Sequence, residues 1–218
     1  MRVAEHPFQF VTASYLTRIG NHKASTLALL AEGLENCSDA SIFYHTFQSL
    51  SRHHFLTEGF SNDFAQWVLA ACNRAELAEQ LAGLDIRDYV SLAELRSDLL
   101  RIVGENCANN PQYARQEAFE PFFFCEAIEI AVPLGVEART LEEFRAGLGR
   151  LSHASLHYHF IASRLRLHLR TNDFSNWLET SLGLKALARR VNRVDIYTHT
   201  LDSAQAKLVA LVDEELTR

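Results

Sequence analysis

The chain has 218 residues, of which 48% are hydrophobic and 22% charged, and its formal net charge is -6. This composition is that of a globular protein with one or two domains, and it excludes a largely disordered chain. The negative charge argues against a nucleic-acid surface and against an anionic membrane surface, since both need a basic patch. No run of 18 apolar residues is present, so no membrane-spanning helix is expected.

The cysteines indicate a reducing compartment. Cys37, Cys72, Cys107 and Cys125 are widely spaced and form no CxxC pair. This spacing suits reduced thiols better than a disulfide framework or a zinc site. The first ten residues also lack the apolar segment of a secretion signal. We therefore expect a cytoplasmic protein.

One sequence pattern occurs twice in the chain. Tyr44-His45 recurs 114 positions later as Tyr158-His159, and Asn62-Asp63 recurs 110 positions later as Asn172-Asp173. The change of offset falls in the connector between the two motifs, where changes in loop length cost little. The sequence thus predicts a tandem duplication.

The predicted boundaries follow the outer limits of this duplication. The first repeat covers residues 7–107 and the second covers 121–218. Residues 108–120 between them contain Asn-Asn-Pro and several polar side chains, as expected for a linker. We expect the two repeats to pack as one globular unit.

Each repeat is predicted to open with a short extended or β segment, at Phe8/Phe10 and at Phe122/Phe124. The first helix follows near residue 26, and its counterpart begins with the capping box Thr140-x-x-Glu143. Serines and asparagines are suitable caps for the next two helices of each repeat. The caps that we predict are Ser38, Asn62, Ser152 and Asn172.

About five helices are predicted in each repeat, the last two being amphipathic runs rich in leucine. Glycine and proline are sparse, as is typical of helical proteins. The expected fold is therefore mainly α, or all-α, with two tandem pseudo-twofold helical repeats.

The second helix, predicted over residues 39–54, carries a polar stripe. At 100° per residue, Ser41, His45, Ser49 and Arg52 share one face, opposite an apolar face that contains Phe43. The second repeat presents the same residue types at Ser155, His159, Ser163 and Arg166. One interpretation is a solvated helix face.

The alternative hypothesis is that the two stripes meet between the repeats. Imidazoles, guanidinium groups and hydroxyls would then converge on an anionic or polyhydroxylated ligand. The tryptophans of the Asn-Asp-Phe-x-x-Trp motif would supply a stacking surface there, although helix capping and core packing also explain that motif. The predicted ligand-binding residues are Tyr44, His45, Ser49, Arg52, Trp67, Tyr158, His159, Ser163, Arg166 and Trp177.

Two other classes of function stay open. A metal-assisted or acid–base enzyme would use His45, Asp63, His159 and Asp173. A structural subunit of a larger assembly would instead expose an apolar patch. The sequence contains no glycine-rich nucleotide loop and no HExxH motif, so neither a cofactor nor a catalytic residue is predicted.

Several motifs together carry a family resemblance. They are Lys23-Ala24-x-Thr26-Leu27, Ser41-Ile42-x-Tyr44-His45-Thr46, Asn62-Asp63-Phe64-Ala65-x-Trp67, Ser155-Leu156-x-Tyr158-His159-Phe160, Thr171-Asn172-Asp173-Phe174-Ser175-x-Trp177-Leu178 and Asp195-Ile196-Tyr197-Thr198-x-Thr200-Leu201. Over nearly the whole chain the sequence resembles the bacterial and archaeal family catalogued as domain of unknown function 5752.

The resemblance implies a functional context but assigns no activity and no catalytic residues. Members of that family are stand-alone small proteins or neighbours of sugar-nucleotide glycosyltransferases, including trehalose-synthase-like enzymes. Many members have a further histidine after the position of Thr46, where this chain has Phe47-Gln48-Ser49. That departure weakens the metal hypothesis.

The sequence therefore predicts a non-catalytic ligand-binding or adaptor module linked to carbohydrate or glycosyltransferase metabolism. The expected partners are another protein or a small sugar or anion, with no nucleic acid and no membrane. A monomer or a homodimer is expected.

Overall fold

A computed structural model describes residues 2–48, 60, 62–194 and 200–217. It is 57% helical and 17% strand, with a two-stranded antiparallel sheet. The expectation of a mainly α or all-α protein built from helical repeats is therefore wrong, and the protein is a mixed α and β structure. Within the described residues, no helix combines the length and the apolar character needed to cross a membrane.

The error arose in the segments predicted to be short extended entries. Both are strands of 17 residues. Alternation of apolar and polar residues reveals a strand only where one face is buried, and the central parts of both strands are largely exposed. Pro133 and Gly135 also suggest a break in the second strand, but proline is tolerated on edge strands, and each strand of a two-stranded sheet is an edge strand.

The elements of the two halves follow the same order. The first half contains β1 (Phe8–Ala24), α1 (Leu27–Asn36), α2 (Asp39–Phe43), a π-helix (Tyr44–Gln48), α3 (Asp63–Ala70), α4 (Ala75–Ala82), a 3-10 turn (Ile86–Asp88), α5 (Leu92–Asn109) and α6 (Pro111–Ala114). The second half contains β2 (Phe122–Ala138), α7 (Leu141–Leu148), α8 (His153–His157), a π-helix (Tyr158–Ala162), α9 (Ser163–Arg166), α10 (Asp173–Thr180), α11 (Lys185–Asn192) and α12 (Leu201–Leu216).

The chain forms two compact units. The central unit consists of Leu16–Ile128, and the split unit consists of Met1–Tyr15 together with Glu129–Arg218. Each unit therefore includes a part of both strands. In the central unit Arg18 of β1 pairs with Glu126 of β2, and in the split unit the Tyr15 hydroxyl donates to Glu129 at 3.2 Å.

Each unit is built around the Phe-x-Phe segment of the other sequence repeat. In the central unit, Phe122 packs on Phe64 and Trp67, with ring centroids 5.2 and 5.8 Å apart. In the split unit, Phe8 packs on Phe144 and Trp177 at 5.3 and 5.7 Å. The opening segment of one repeat thus completes the core formed by the helices of the other.

Two equivalent glycines permit this packing. A Cβ atom on Gly33 would lie 2.2 Å from the ring of Phe124, and one on Gly147 would lie 2.3 Å from the ring of Phe10. These separations are far below any real carbon–carbon contact. Both helices can therefore approach the phenylalanine only without a side chain at this position.

The predicted helix starts are confirmed. Thr140 and Glu143 form the complete capping box, and the side chains of Ser38 and Ser152 accept from backbone amides at the starts of α2 and α8. Asn62 and Asn172 cap α3 and α10 in the same way. Capping needs only residues within one helical turn, so the sequence predicts it well.

Candidate functional site

His45 connects three parts of the central unit. It lies in the first π-helix, is 4% exposed, and its Nδ1 lies 2.8 Å from Oδ2 of Asp63 on α3. The backbone N–H of Cys125 on β2 donates to its Nε2 at 2.8 Å. Since Nε2 accepts, the proton of the neutral ring lies on Nδ1 and is donated to the carboxylate. This arrangement ties a helix and a strand to one imidazole, and we call it the His–Asp lock.

The split unit contains the same lock. His159 is 2% exposed, and its Nδ1 lies 2.9 Å from Oδ2 of Asp173. The backbone N–H of Val11 on β1 donates to its Nε2 at 2.9 Å. Both ring nitrogens of both histidines are therefore engaged within their own unit, which leaves them no lone pair for a metal ion.

Other predicted site residues of the second repeat extend this lock. The Ser163 hydroxyl donates to the carbonyl oxygen of His159 at 2.6 Å. The Arg166 guanidinium donates to Asp173 at 3.0 Å and to Glu129 at 3.1 Å, and it lies 4.3 Å from the ring centre of Tyr158. The polar groups of this network satisfy one another.

The remaining predicted residues have partners of their own. The Tyr44 hydroxyl lies 2.9 Å from the hydroxyl of Thr17. Trp67 and Trp177 are buried, and their indole N–H groups donate to the carbonyl oxygens of Glu120 and His6. Ser49 and Arg52 lie outside the described residues. The role of all ten residues in binding a ligand stays a prediction.

The second helix, which carries the predicted polar stripe, is not a regular α-helix. It changes to a π-helix at Tyr44, and its counterpart does so at Tyr158. A π-helix has more residues per turn, so angles computed at 100° per residue drift from the true positions. The interpretation of a solvated face is wrong, because Ser41, His45 and Ser155 are all buried.

The described residues do not supply a set of ligands for the hypothetical metal site. Across residues 2–48, 60, 62–194 and 200–217, no group of three or more His, Cys, Asp or Glu side chains could hold a metal ion. The acidic partner in each lock is a single carboxylate that already receives an imidazole N–H.

A polar cleft of about 370 Å³ lies in the central unit, between β1, β2 and the α1–α2 connection. The Glu126 carboxylate accepts from the Ser38 hydroxyl and from the Arg18 guanidinium. These hydrogen bonds, that of Ser38 first, hold the pKa of Glu126 below its usual value. Asn21, His22 and Asn36 also contribute polar side chains to the lining.

Three of the side chains that line the cleft are buried, namely Ser41, Cys37 and Phe124. Ser41 is 2% exposed, and its hydroxyl has no hydrogen-bond partner of normal geometry among the described residues, although it approaches the Cys37 thiol. Burial raises the pKa of that thiol, and the Arg96 guanidinium, which donates to the sulfur at 3.5 Å, opposes part of the shift. A buried hydroxyl without a partner costs stability unless a bound molecule satisfies it.

The split unit has a mainly apolar pocket of about 300 Å³ at the equivalent place, with Glu137, Glu143 and Arg150 also in its lining. Leu134, Val136 and Leu151 line it at positions that correspond to Gly20, His22 and Cys37, 114 positions earlier. The serine equivalent to Ser41 is Ser155, whose hydroxyl lies 3.1 Å from that of Ser152. The same place in the two units is therefore polar in one and mainly apolar in the other.

Sequence reasoning missed the cleft because it searched for residues that the two repeats share. Arg18, His22 and Glu126 correspond to Val132, Val136 and Thr12, so each lies at a position where the repeats differ. The cleft could have been found from the sequence by looking for aligned positions at which the two repeats carry chemically different side chains.

These features define a two-unit α and β protein in which duplicated halves exchange their opening strand segments and one half retains a polar cleft. The chain belongs to the Family of unknown function (DUF5752), whose profile matches residues 5–213, and this confirms the family resemblance. A similar solved structure is described as "The structure of OrfY from Thermoproteus tenax". It is 28% identical with a TM-score of 0.85, and the match covers 99% of this chain and 98% of the other. No curated protein matches the chain.

Proposed function

We propose that this protein is a non-catalytic binding module whose ligand, a polyhydroxylated molecule such as a sugar, binds in the cleft of the central unit. The observation that carries the proposal is the Ser41 hydroxyl, which is buried in the lining of the cleft and has no hydrogen-bond partner of normal geometry among the described residues, although it approaches the Cys37 thiol. A ligand hydroxyl that reaches this group would relieve its unsatisfied state.

The charge of the cleft favours a neutral ligand over an anion. Among the described residues that line it, the one guanidinium group, on Arg18, is paired with Glu126. The other hydrogen-bonding groups of this lining are the amides of Asn21 and Asn36, the hydroxyls of Ser38 and Ser41 and the imidazole of His22. Of two adjacent hydroxyl groups of a sugar, one can donate to the Glu126 carboxylate while the other accepts from the amide N–H of Asn36.

Two features support binding without catalysis. Both ring nitrogens of His45 and His159 are committed to hydrogen bonds, so neither imidazole is available as a general base. The pKa of the Cys37 thiol is raised, which keeps the thiol protonated and unreactive near neutral pH. No disulfide joins the four cysteines, all of which are among the described residues, and we place the protein in the cytoplasm on that ground.

A thermal-shift screen tests the proposal. The probes are glucose, trehalose, glucose 6-phosphate, UDP-glucose and inorganic phosphate, each in excess. A native-state ligand at about 100 times its Kd stabilises by about 2.7 kcal/mol, which is a shift of several degrees. We expect a neutral sugar to raise Tm in the wild type and in Ser155→Ala, and to have little effect in Ser41→Ala or Glu126→Gln.

Three outcomes would contradict the proposal. A shift of equal size in all variants would place the ligand elsewhere. A response to phosphate alone would mean that the site binds an anion. Conversion of the bound sugar, detected by mass spectrometry after incubation, would show that the protein is an enzyme.

A further inference from the structure

A second concave surface of the central unit has a different chemistry. It is a groove of about 500 Å³ between α3 and the segment that precedes β2. Its lining includes Asp63, Gln66, Trp67, Phe119, Glu120 and Phe122. Among the described residues, none lines both the groove and the polar cleft, so the groove is independent of the function proposed above.

The backbone of the segment that lines this groove is held by hydrogen bonds, although a side chain at its edge is exposed to water. The backbone N–H of Phe119 donates to the carbonyl oxygen of Ala71 at 2.9 Å, and the indole N–H of Trp67 donates to that of Glu120 at 2.8 Å. The side chain of Phe119 is nevertheless 87% exposed. Exposure of a large apolar ring to water is unfavourable in the free protein. Because its backbone is fixed, the ring is also available to contact a ligand.

The lining combines aromatic rings with negative charge. Phe119 supplies an exposed ring beside the buried Trp67 and Phe122, and the exposed Glu120 supplies a carboxylate. Asp63 also lines the groove, where its carboxylate is already engaged by the imidazole of His45. No lysine or arginine appears among the described residues that line the groove. Aromatic faces and carboxylates both attract cations, whereas an anion would be repelled and a neutral apolar ligand would desolvate the carboxylates without compensation. We infer that this groove binds a small organic cation of the alkylammonium class.

The split unit provides an internal comparison. It retains Trp177 and Phe8 at the positions of Trp67 and Phe122, but Glu5 stands where the central unit has Phe119. Thr180 and Ser181 likewise replace the alanines that line the groove. The aromatic rim is therefore specific to the central unit, and the cation site belongs to that unit alone.

The test uses choline and its neutral carbon isostere, 3,3-dimethylbutanol, with the full chain. Isothermal titration at constant ionic strength measures the affinity for each. We expect saturable binding of choline and about tenfold weaker binding of the isostere, since a desolvated cation–aromatic contact is worth about 1–2 kcal/mol. Phe119→Ala and Glu120→Gln should each weaken choline binding about tenfold. Both side chains lie at the rim, so these variants keep the fold.

Two matched variants control for general effects. Phe123→Ala removes another exposed phenylalanine, 44% exposed and absent from the groove lining, and Glu5→Gln removes a carboxylate from the equivalent place in the split unit. Both should bind choline as the wild type does. Equal affinity for choline and the isostere would overturn the proposal, as would unchanged binding in Phe119→Ala or the absence of saturable binding. A sugar response in the thermal-shift screen is independent of all these outcomes.

Discussion

The central and split units share their interior and differ at their surface. Each contains the same lock, in which a buried imidazole joins an aspartate to a strand amide, with all four distances between 2.8 and 2.9 Å. The cleft is polar in the central unit and mainly apolar in the split unit. The comparison supports a structural role for the shared histidines, and the binding function that we propose is assigned to a place where the units diverge.

The largest effect on stability is expected when one His–Asp lock is removed. In His45→Ala or His159→Ala, a buried strand amide loses its imidazole acceptor, a carboxylate loses one of its donors, and an imidazole-sized cavity forms. We expect each variant to lose about 3–5 kcal/mol of unfolding free energy, measured by urea denaturation. His153→Ala, which removes an exposed imidazole paired with Asp202, is the control and should change stability by less than about 0.5 kcal/mol. A loss below about 1 kcal/mol at His45 or His159 would mean that the lock is not structural.

A second test asks whether the two cores tolerate the same change. Gly33→Ala and Gly147→Ala would each force a methyl group into a phenylalanine ring, so we expect a loss of about 1–3 kcal/mol in both. Gly104→Ala serves as the control because no atom lies within 4 Å of its added methyl, and this residue is inside α5. Gly104→Ala should stabilise by about 0.5–1 kcal/mol. A neutral effect at Gly33 would show that Phe124 does not pack as described.

The smallest effects on the free energy of unfolding are expected for the variants Ser155→Ala and Ser41→Ala, and the sign of the effect should differ between the two units. Ser155→Ala breaks the contact with the Ser152 hydroxyl and should cost about 0.5–1.5 kcal/mol. Ser41→Ala removes a buried hydroxyl that has no partner of normal geometry in the described structure, so the unliganded protein should be unchanged or slightly more stable. Thermal denaturation without added ligand measures both. A similar loss in the two variants would show that the Ser41 hydroxyl is already satisfied and would remove the basis of the cleft proposal.

Part of the candidate site could be predicted and part could not. The repeated Tyr-His and Asn-Asp motifs marked His45, Asp63, His159 and Asp173 as related residues, and they do form pairs. Their role was misjudged because each imidazole bonds to an amide about 80 or 148 residues away, at Cys125 or Val11. A backbone amide carries no sequence signal, so no motif could reveal this partner.

The sequence by itself determined the duplication, the family and the helix starts at Thr140, Ser38 and Asn62, because capping depends on residues within one turn. Only the tertiary structure decided that Phe122 and Phe124 pack on the helices of the first repeat and Phe8 and Phe10 on those of the second. That choice depends on strand pairing between segments more than 100 residues apart. It also decided that Arg18, Ser38 and Glu126 meet in one cleft, because side chains on paired strands become neighbours only once the register is set.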